Sequence, residues 1–198
     1  CDYYIITALD SIAWLLNMRG NDILYTPLNL AYALITQDKK IELFIDEEKI
    51  QDIKSEISAF SKPHPLKSIE NFIQNLSLNT TIGLDKIRTP FIFEKICREK
   101  SLKFKYFEDP CIYPKAQKNE SELQGARLAN IRDGTSVTKF LYWLKNEITI
   151  DETDEIIAAE KLFTLRKNND LYYSLSFETI SATDQHSAIP HYRVTKES

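Results

Sequence analysis

Apolar positions follow two rhythms along the first hundred residues. Tyr3 to Thr7 (YYIIT) is a short unbroken apolar run and predicts a strand. Leu9, Ile12, Ala13 and Leu16 then recur at helical spacing in LDSIAWLLN, and the turn formers of MRGND stop that helix. LAYALIT and KIELFID are β-like runs joined by QDKK, the pattern of a hairpin. EEKIQDIKSEISAF predicts an amphipathic helix, TTIGLD a further strand, and TPFIFEKICREK a helix with Pro90 near its start. Strand and helix alternate, so this part of the chain is predicted to be an α/β domain with a largely buried sheet.

The pattern changes at FEDPCIYPKAQKNES, where Pro110 and Pro114 bracket a stretch that neither a helix nor an inner strand tolerates. A domain boundary is placed there, giving residues 1–109 and 110–198. Beyond it Asn119 is placed to cap a long helix, with Val137, Leu141, Leu144 and Ile148 on one face. TIDETDEIIAAEKLFTLRKNN predicts a second helix, with carboxylates in its first turn and Lys and Arg in its last, as the helix dipole favours. LYYSLSFETISA returns to strand chemistry.

Composition narrows the function classes. Of the 198 residues, 43% are hydrophobic, enough for a core; charged residues make up 27%, with a net charge of −4 and both signs interspersed. That balance steers the chain toward neither nucleic acid nor an anionic membrane. The most apolar stretch, YYIITALDSIAWLLNM, is broken by Asp10, Ser11 and Asn17, whereas a bilayer span needs about 20 nearly continuous apolar residues. It shows no basic leader followed by a cleavage site. Cys1, Cys97 and Cys111 are odd in number and lack C-x-x-C spacing, which argues against a disulfide framework or a zinc site and fits a cytoplasmic location. Cys97, in an apolar pattern, reads as a core thiol.

Motif chemistry is sparse. No dinucleotide fingerprint, phosphate-binding loop, nucleophile elbow or H-E-x-x-H is present, and four glycines leave little for a backbone phosphate cradle. The carboxylates of DETDE (151–155) are accounted for by helix-start charge. His64, between prolines in SKPHPL, reads as a solvent-exposed loop residue, and His186 in TDQHSA as another loop histidine. His191 in AIPHYRV follows a strand and a loop and can present an imidazole at a pocket mouth, although a single histidine is a weak signal.

Three longer stretches together carry a resemblance. ALDSIAWLLNMRGNDILYTPLNLAYALI resembles the opening of the middle domain of Xaa-Pro aminopeptidases (aminopeptidase P). KAQKNESELQGARLANIRDGTSVTKFLYWL looks like the helix that leads into that family's pita-bread catalytic domain, and LSFETISATDQHSAIPHYRV resembles its first catalytic strand and loop. The resemblance implies a creatinase N-terminal-like, ribonuclease H-like mixed sheet over 1–109 and the start of a pita-bread domain over 110–198. It implies release of the N-terminal residue from peptides with proline second, by two divalent ions, usually manganese, and a homo-oligomeric cytoplasmic enzyme. The metal ligands of such enzymes, two aspartates, a histidine and two glutamates, correspond to positions beyond this sequence, so the chain by itself is expected to be inactive.

Two residues carry over. His191 matches a histidine that borders the substrate, and Phe177 an aromatic position that lines the substrate pocket. Trp14, Asn17, Arg19, Gly20 and Asp22 match the middle-domain motif and are read as structural. Where the family has a glycine-rich loop before HY, this chain has Asp184, Gln185, His186 and Ser187, which limits left-handed backbone there. A non-catalytic interaction module of the same descent, or a pita-bread relative such as a prolidase, is the alternative reading.

Overall fold

A computed structural model describes residues 1–149 and 152–195. The chain forms two compact units, Cys1–Gln117 and Lys118–Ser198.

The first unit is built on a mixed six-stranded sheet. Its strands are β1 (Tyr3–Ile6), β2 (Tyr32–Thr36), β3 (Ile41–Phe44), β4 (Ser61–His64), β5 (Thr81–Leu84) and β6 (Lys103–Tyr106), in the spatial order β4-β3-β2-β1-β5-β6. The hairpin β2–β3 and the pair β1–β2 are antiparallel, while β4, β5 and β6 join in parallel. Residues along the central strands alternate between two cores, as the strand period of two requires. Tyr4, Ile6, Ala33 and Leu43 face α1 (Leu9–Leu15) and the turns of 47–58, which end in the short helix α2 (Lys54–Ser58). Ile5, Leu34 and Phe44 face α3 (Ile69–Gln74) and α4 (Phe91–Glu99), from which Ile73, Phe93 and Ile96 are contributed. Cys97 is fully buried in that second core, and burial pushes its thiol up to about 11.

Besides α3, which the sequence reading does not place, four elements differ from the sequence expectation, one of them a short helix over Ile112–Ala116 that takes in Pro114 in its first turn, where a backbone N–H has no helical partner to lose. The stretch 47–58 is a 3₁₀ helix followed by one α turn. SKPH is strand β4, and His64 is not a solvated loop residue: its ring stacks on Phe44 with centroids 4.9 Å apart, and its Nε2 meets the Glu42 carboxylate. The parallel register that sets His64 beside Phe44 brings this about. β6 is read from KFKY, whose lysines conceal a strand. Both sheet edges are thus unusual, one carrying Pro63 and the other Lys103 and Lys105.

The RGND motif shapes the connection between α1 and β2. The Arg19 guanidinium donates to the carbonyls of Ala13 and Met18, while Asp22 accepts from the Leu30 N–H at 2.6 Å and from Lys49 at 2.8 Å, so Arg19 and Asp22 hold different partners. Buried Asn29 donates to the Arg19 carbonyl, and a Cβ at Gly20 would lie 1.7 Å from the Asn29 Oδ1. Gly20→Ala is therefore expected to displace Asn29 and cost about 2 kcal/mol, read as a lowered urea midpoint with an unchanged slope.

The first unit closes through Asp85, at the end of β5. Its carboxylate accepts from the backbone N–H of Ile87 (2.7 Å), Arg88 (3.0 Å) and Asp109 (2.9 Å) and from the Arg88 guanidinium (3.1 Å). Burial pushes this carboxyl up, but the four donors outweigh it and hold it below the usual carboxylate range. Past Asp109 the chain buries Cys111 and forms α5 (Ile112–Ala116), whose Lys115 pairs with Asp10 of α1.

Candidate functional site

In the second unit, α6 (Glu120–Asn146) starts as the sequence predicts. Asn119 accepts from the Glu122 N–H at 2.9 Å, and the Glu122 carboxylate accepts from the Asn119 N–H at 2.8 Å, a reciprocal capping box. Helix α7 (Glu155–Lys167) begins at Asp154, whose carboxylate caps Ile157 at 2.7 Å. Of the DETDE carboxylates, Asp154 thus has the predicted helix-start role, and Asp151 lies outside the described residues. The two helices are pinned by polar contacts. Arg166 forks onto Asp133 at 2.6 and 3.0 Å, and the buried Ser136 hydroxyl donates to the Leu165 carbonyl and accepts from Asn169.

The predicted strand over LYYSLSFETISA does not form among the described residues. A strand is stable only with a paired neighbour, and no described strand pairs with this stretch. The segment instead borders a cavity of about 620 Å³ lined by Arg132, Asp133, Arg166, Tyr172 and Phe177, among others. Phe177 is 70% exposed at that cavity. His191 is also exposed but is not part of the lining, so the two candidate residues do not meet in one pocket.

The loop that carries His191 is ordered by a feature the sequence did not reveal. Residues 184–188 form a 3₁₀ turn; the His186 carbonyl accepts the Ile189 N–H at 3.0 Å, and just past the turn the Ile189 carbonyl accepts the Tyr192 N–H at 3.3 Å. Left-handed backbone occurs without glycine, at Asp184 (φ 45°) and at His191 (φ 55°). Next to exposed His191, Tyr192 is buried, and its hydroxyl donates to Glu155 Oε2 at 2.7 Å. Glu155 Oε1 accepts the Thr183 N–H at 2.6 Å and lies 3.0 Å from His186 Nδ1, while the His186 and Tyr192 rings stack 4.7 Å apart. Burial pushes the Glu155 carboxyl up, but hydrogen bonds from Tyr192, His186 and Thr183 prevail and hold it below the usual carboxylate range. His186, read from sequence as a loop histidine, is thus half of a stacked pair. The one signal that pointed here was DETDE, whose second glutamate helix-start charge already accounted for.

Among the described residues no group of three or more His, Cys, Asp or Glu side chains is placed to hold a metal ion. Glu155 and His186 are two such groups, but both are turned to each other and to Tyr192. These residues therefore do not provide the donor set of a metal pair. No described helix is long and apolar enough to cross a membrane.

A six-stranded mixed sheet with helices on both faces defines an α/β domain, and a second, helical unit bearing a clasped loop follows it in the chain. A profile of the Creatinase/Prolidase N-terminal domain matches residues 1–122, and the chain belongs to that family. It is 37% identical to a probable Xaa-Pro aminopeptidase P of Talaromyces stipitatus over 98% of its length, and 34% identical to one of Penicillium rubens over the same share. The chain spans 31% and 33% of those relatives. In structure it is similar to an X-prolyl aminopeptidase of Caenorhabditis elegans, described as a cytosolic enzyme with a di-nuclear active site. The TM-score is 0.89 and the identity 32%, over 99% of this chain and 33% of that one. A Xaa-Pro dipeptidase of Bacillus anthracis shares the fold at 15% identity, with a TM-score of 0.61 over 86% of this chain and 46% of that one.

Proposed function

We propose that this chain is a segment of a metal-dependent Xaa-Pro aminopeptidase, which removes the first residue from peptides whose second residue is proline. The observation that carries this reading is the continuity of the likeness. At 32–37% identity it runs through both units over 98–99% of the chain, and so takes in the second unit as well as the family domain. In this reading residues 1–109 are the middle domain, with α5 packed back upon it, and residues 110–198 open the catalytic domain. Phe177 lines the substrate pocket. His191 stands at the substrate side, where an imidazole N–H can donate to the oxygen on which negative charge develops as the bond to proline is attacked. Two divalent ions, manganese by preference, would be held by the family's aspartate, histidine and glutamate ligands, none of which matches a residue of this chain; such a pair supplies an activated water and polarises the carbonyl. The enzyme would be cytoplasmic and homo-oligomeric.

The test is turnover of a short Xaa-Pro peptide with manganese present. The 198-residue chain is expected to release no free N-terminal residue, whereas the longest natural polypeptide that contains it is expected to do so. Release by the 198-residue chain would refute its inactivity by itself, and failure of the longer polypeptide would remove the assignment. A second reading, a non-catalytic association module, is favoured by Leu141, Tyr142 and Leu144, all exposed along α6. Self-association of an inactive longer polypeptide in sedimentation would select it.

A further inference from the structure

Glu155 does more than begin a helix. Asp154 already caps α7, yet Glu155 beside it is 9% exposed, with both carboxylate oxygens turned to the segment 183–192. Its three contacts grip that segment at the front (Thr183 N–H), in the middle (His186 Nδ1) and at the end (Tyr192 hydroxyl). The stacked rings of His186 and Tyr192 brace the last two against each other. Immediately before the final anchor the backbone turns left-handed at His191, a conformation that a residue with a Cβ adopts only when its surroundings hold it there. The same turn sends Tyr192 inward and leaves His191 at the surface.

We propose that Glu155 is a positioning residue for His191: by clasping Thr183, His186 and Tyr192 it fixes the left-handed turn that presents the His191 imidazole. The mechanical part stands on geometry alone, and its value for catalysis rests on the reading that places His191 beside the substrate. In physical terms, one carboxylate replaces the glycine-rich flexibility that the resemblance leads one to expect in this loop. Its hydrogen bonds stabilise a single loop conformation whose backbone alone would favour others.

The test is NMR on isotope-labelled 198-residue chain, comparing wild type with Glu155→Ala, Glu155→Gln and Tyr192→Phe. In Glu155→Ala the Thr183 amide is expected to exchange about tenfold or more faster, the loss expected when a hydrogen bond to a charged group is removed. The left-handed carbon-shift signature of His191 is expected to disappear while resonances of the first unit stay in place. Glu155→Gln, which keeps one acceptor oxygen, and Tyr192→Phe should fall between these limits. An unchanged His191 signature together with unchanged Thr183 exchange in Glu155→Ala would overturn the proposal. In the longer natural polypeptide, Glu155→Ala should lower kcat for Xaa-Pro cleavage by roughly ten- to a hundredfold, with KM little changed. If His191→Ala there leaves kcat intact while the NMR changes appear as expected, the positioning role stands and the substrate-side reading of His191 falls.

Discussion

Phe44→Ala is expected to destabilise the first unit by about 4 kcal/mol, with a fall in melting temperature on the order of 10–20 °C. Phe44 is fully buried at the end of β3. Its ring stacks on His64 at 4.9 Å and meets the edge of Phe72 at 5.2 Å, so it joins the sheet, the edge strand β4 and helix α3 at one point. Truncation removes the aromatic contacts and leaves a void that the surrounding helices fill only in part. It also releases the ring of His64 from its stack and weakens the packing around the His64–Glu42 contact. Because small domains have a total stability of about 5–15 kcal/mol, this one change is a large share of it. Urea denaturation followed by circular dichroism measures the effect. A cost below about 1 kcal/mol, in the range of an ordinary surface substitution, would mean that Phe44 does not knit these elements together.

Asp85→Asn is expected to cost about 3 kcal/mol at neutral pH and to change how stability depends on acid. The Asn oxygen can still accept from Ile87 and Arg88, but its amide nitrogen would point donors at the Asp109 N–H and the Arg88 guanidinium, which themselves have only donors to offer. The sign of the pH effect follows from the direction of the shift. The folded carboxyl lies below its unfolded value of about 3.9, so the unfolded chain binds the proton more readily. The stabilisation is therefore complete above about pH 4 and is lost as the pH falls through the folded value. Wild type should lose stability across that window, the variant should lose less, and their melting curves should converge. Parallel acid profiles for the two proteins would show that Asp85 is not the group responsible.

How much of this was legible in the sequence depended on whether an element's evidence was local. The β2–β3 hairpin, α4, α6 with its Asn119 cap and α7 have their periodicity, turns and caps within a few consecutive residues, and each forms where those signals lie, except that α6 ends at Asn146, short of Ile148. β4 contains Pro63, which argues for a loop until β3 supplies a parallel partner, and β6 alternates lysines with aromatics. The stretch 171–182 shows the reverse case, β-like composition without a neighbour to pair with. The site followed the same logic. His191 stands out only weakly from its own surroundings, and family likeness supplies its substrate-side role. The Glu155 clasp joins residues 28, 31 and 37 positions apart, a separation that no local pattern encodes.

The two margins of the sheet have a consequence for how the protein behaves in company. Pro63 removes a backbone donor from one outer strand, and Lys103 and Lys105 set cations along the other. A second molecule that tried to continue the hydrogen-bond ladder would meet a missing N–H on one side and unbalanced charge on the other. Fibril-like stacking through the first unit is thereby discouraged at the concentrations that crystallisation or NMR requires. Association of this unit with any neighbour is left to side-chain surfaces, where it can be selective and reversible.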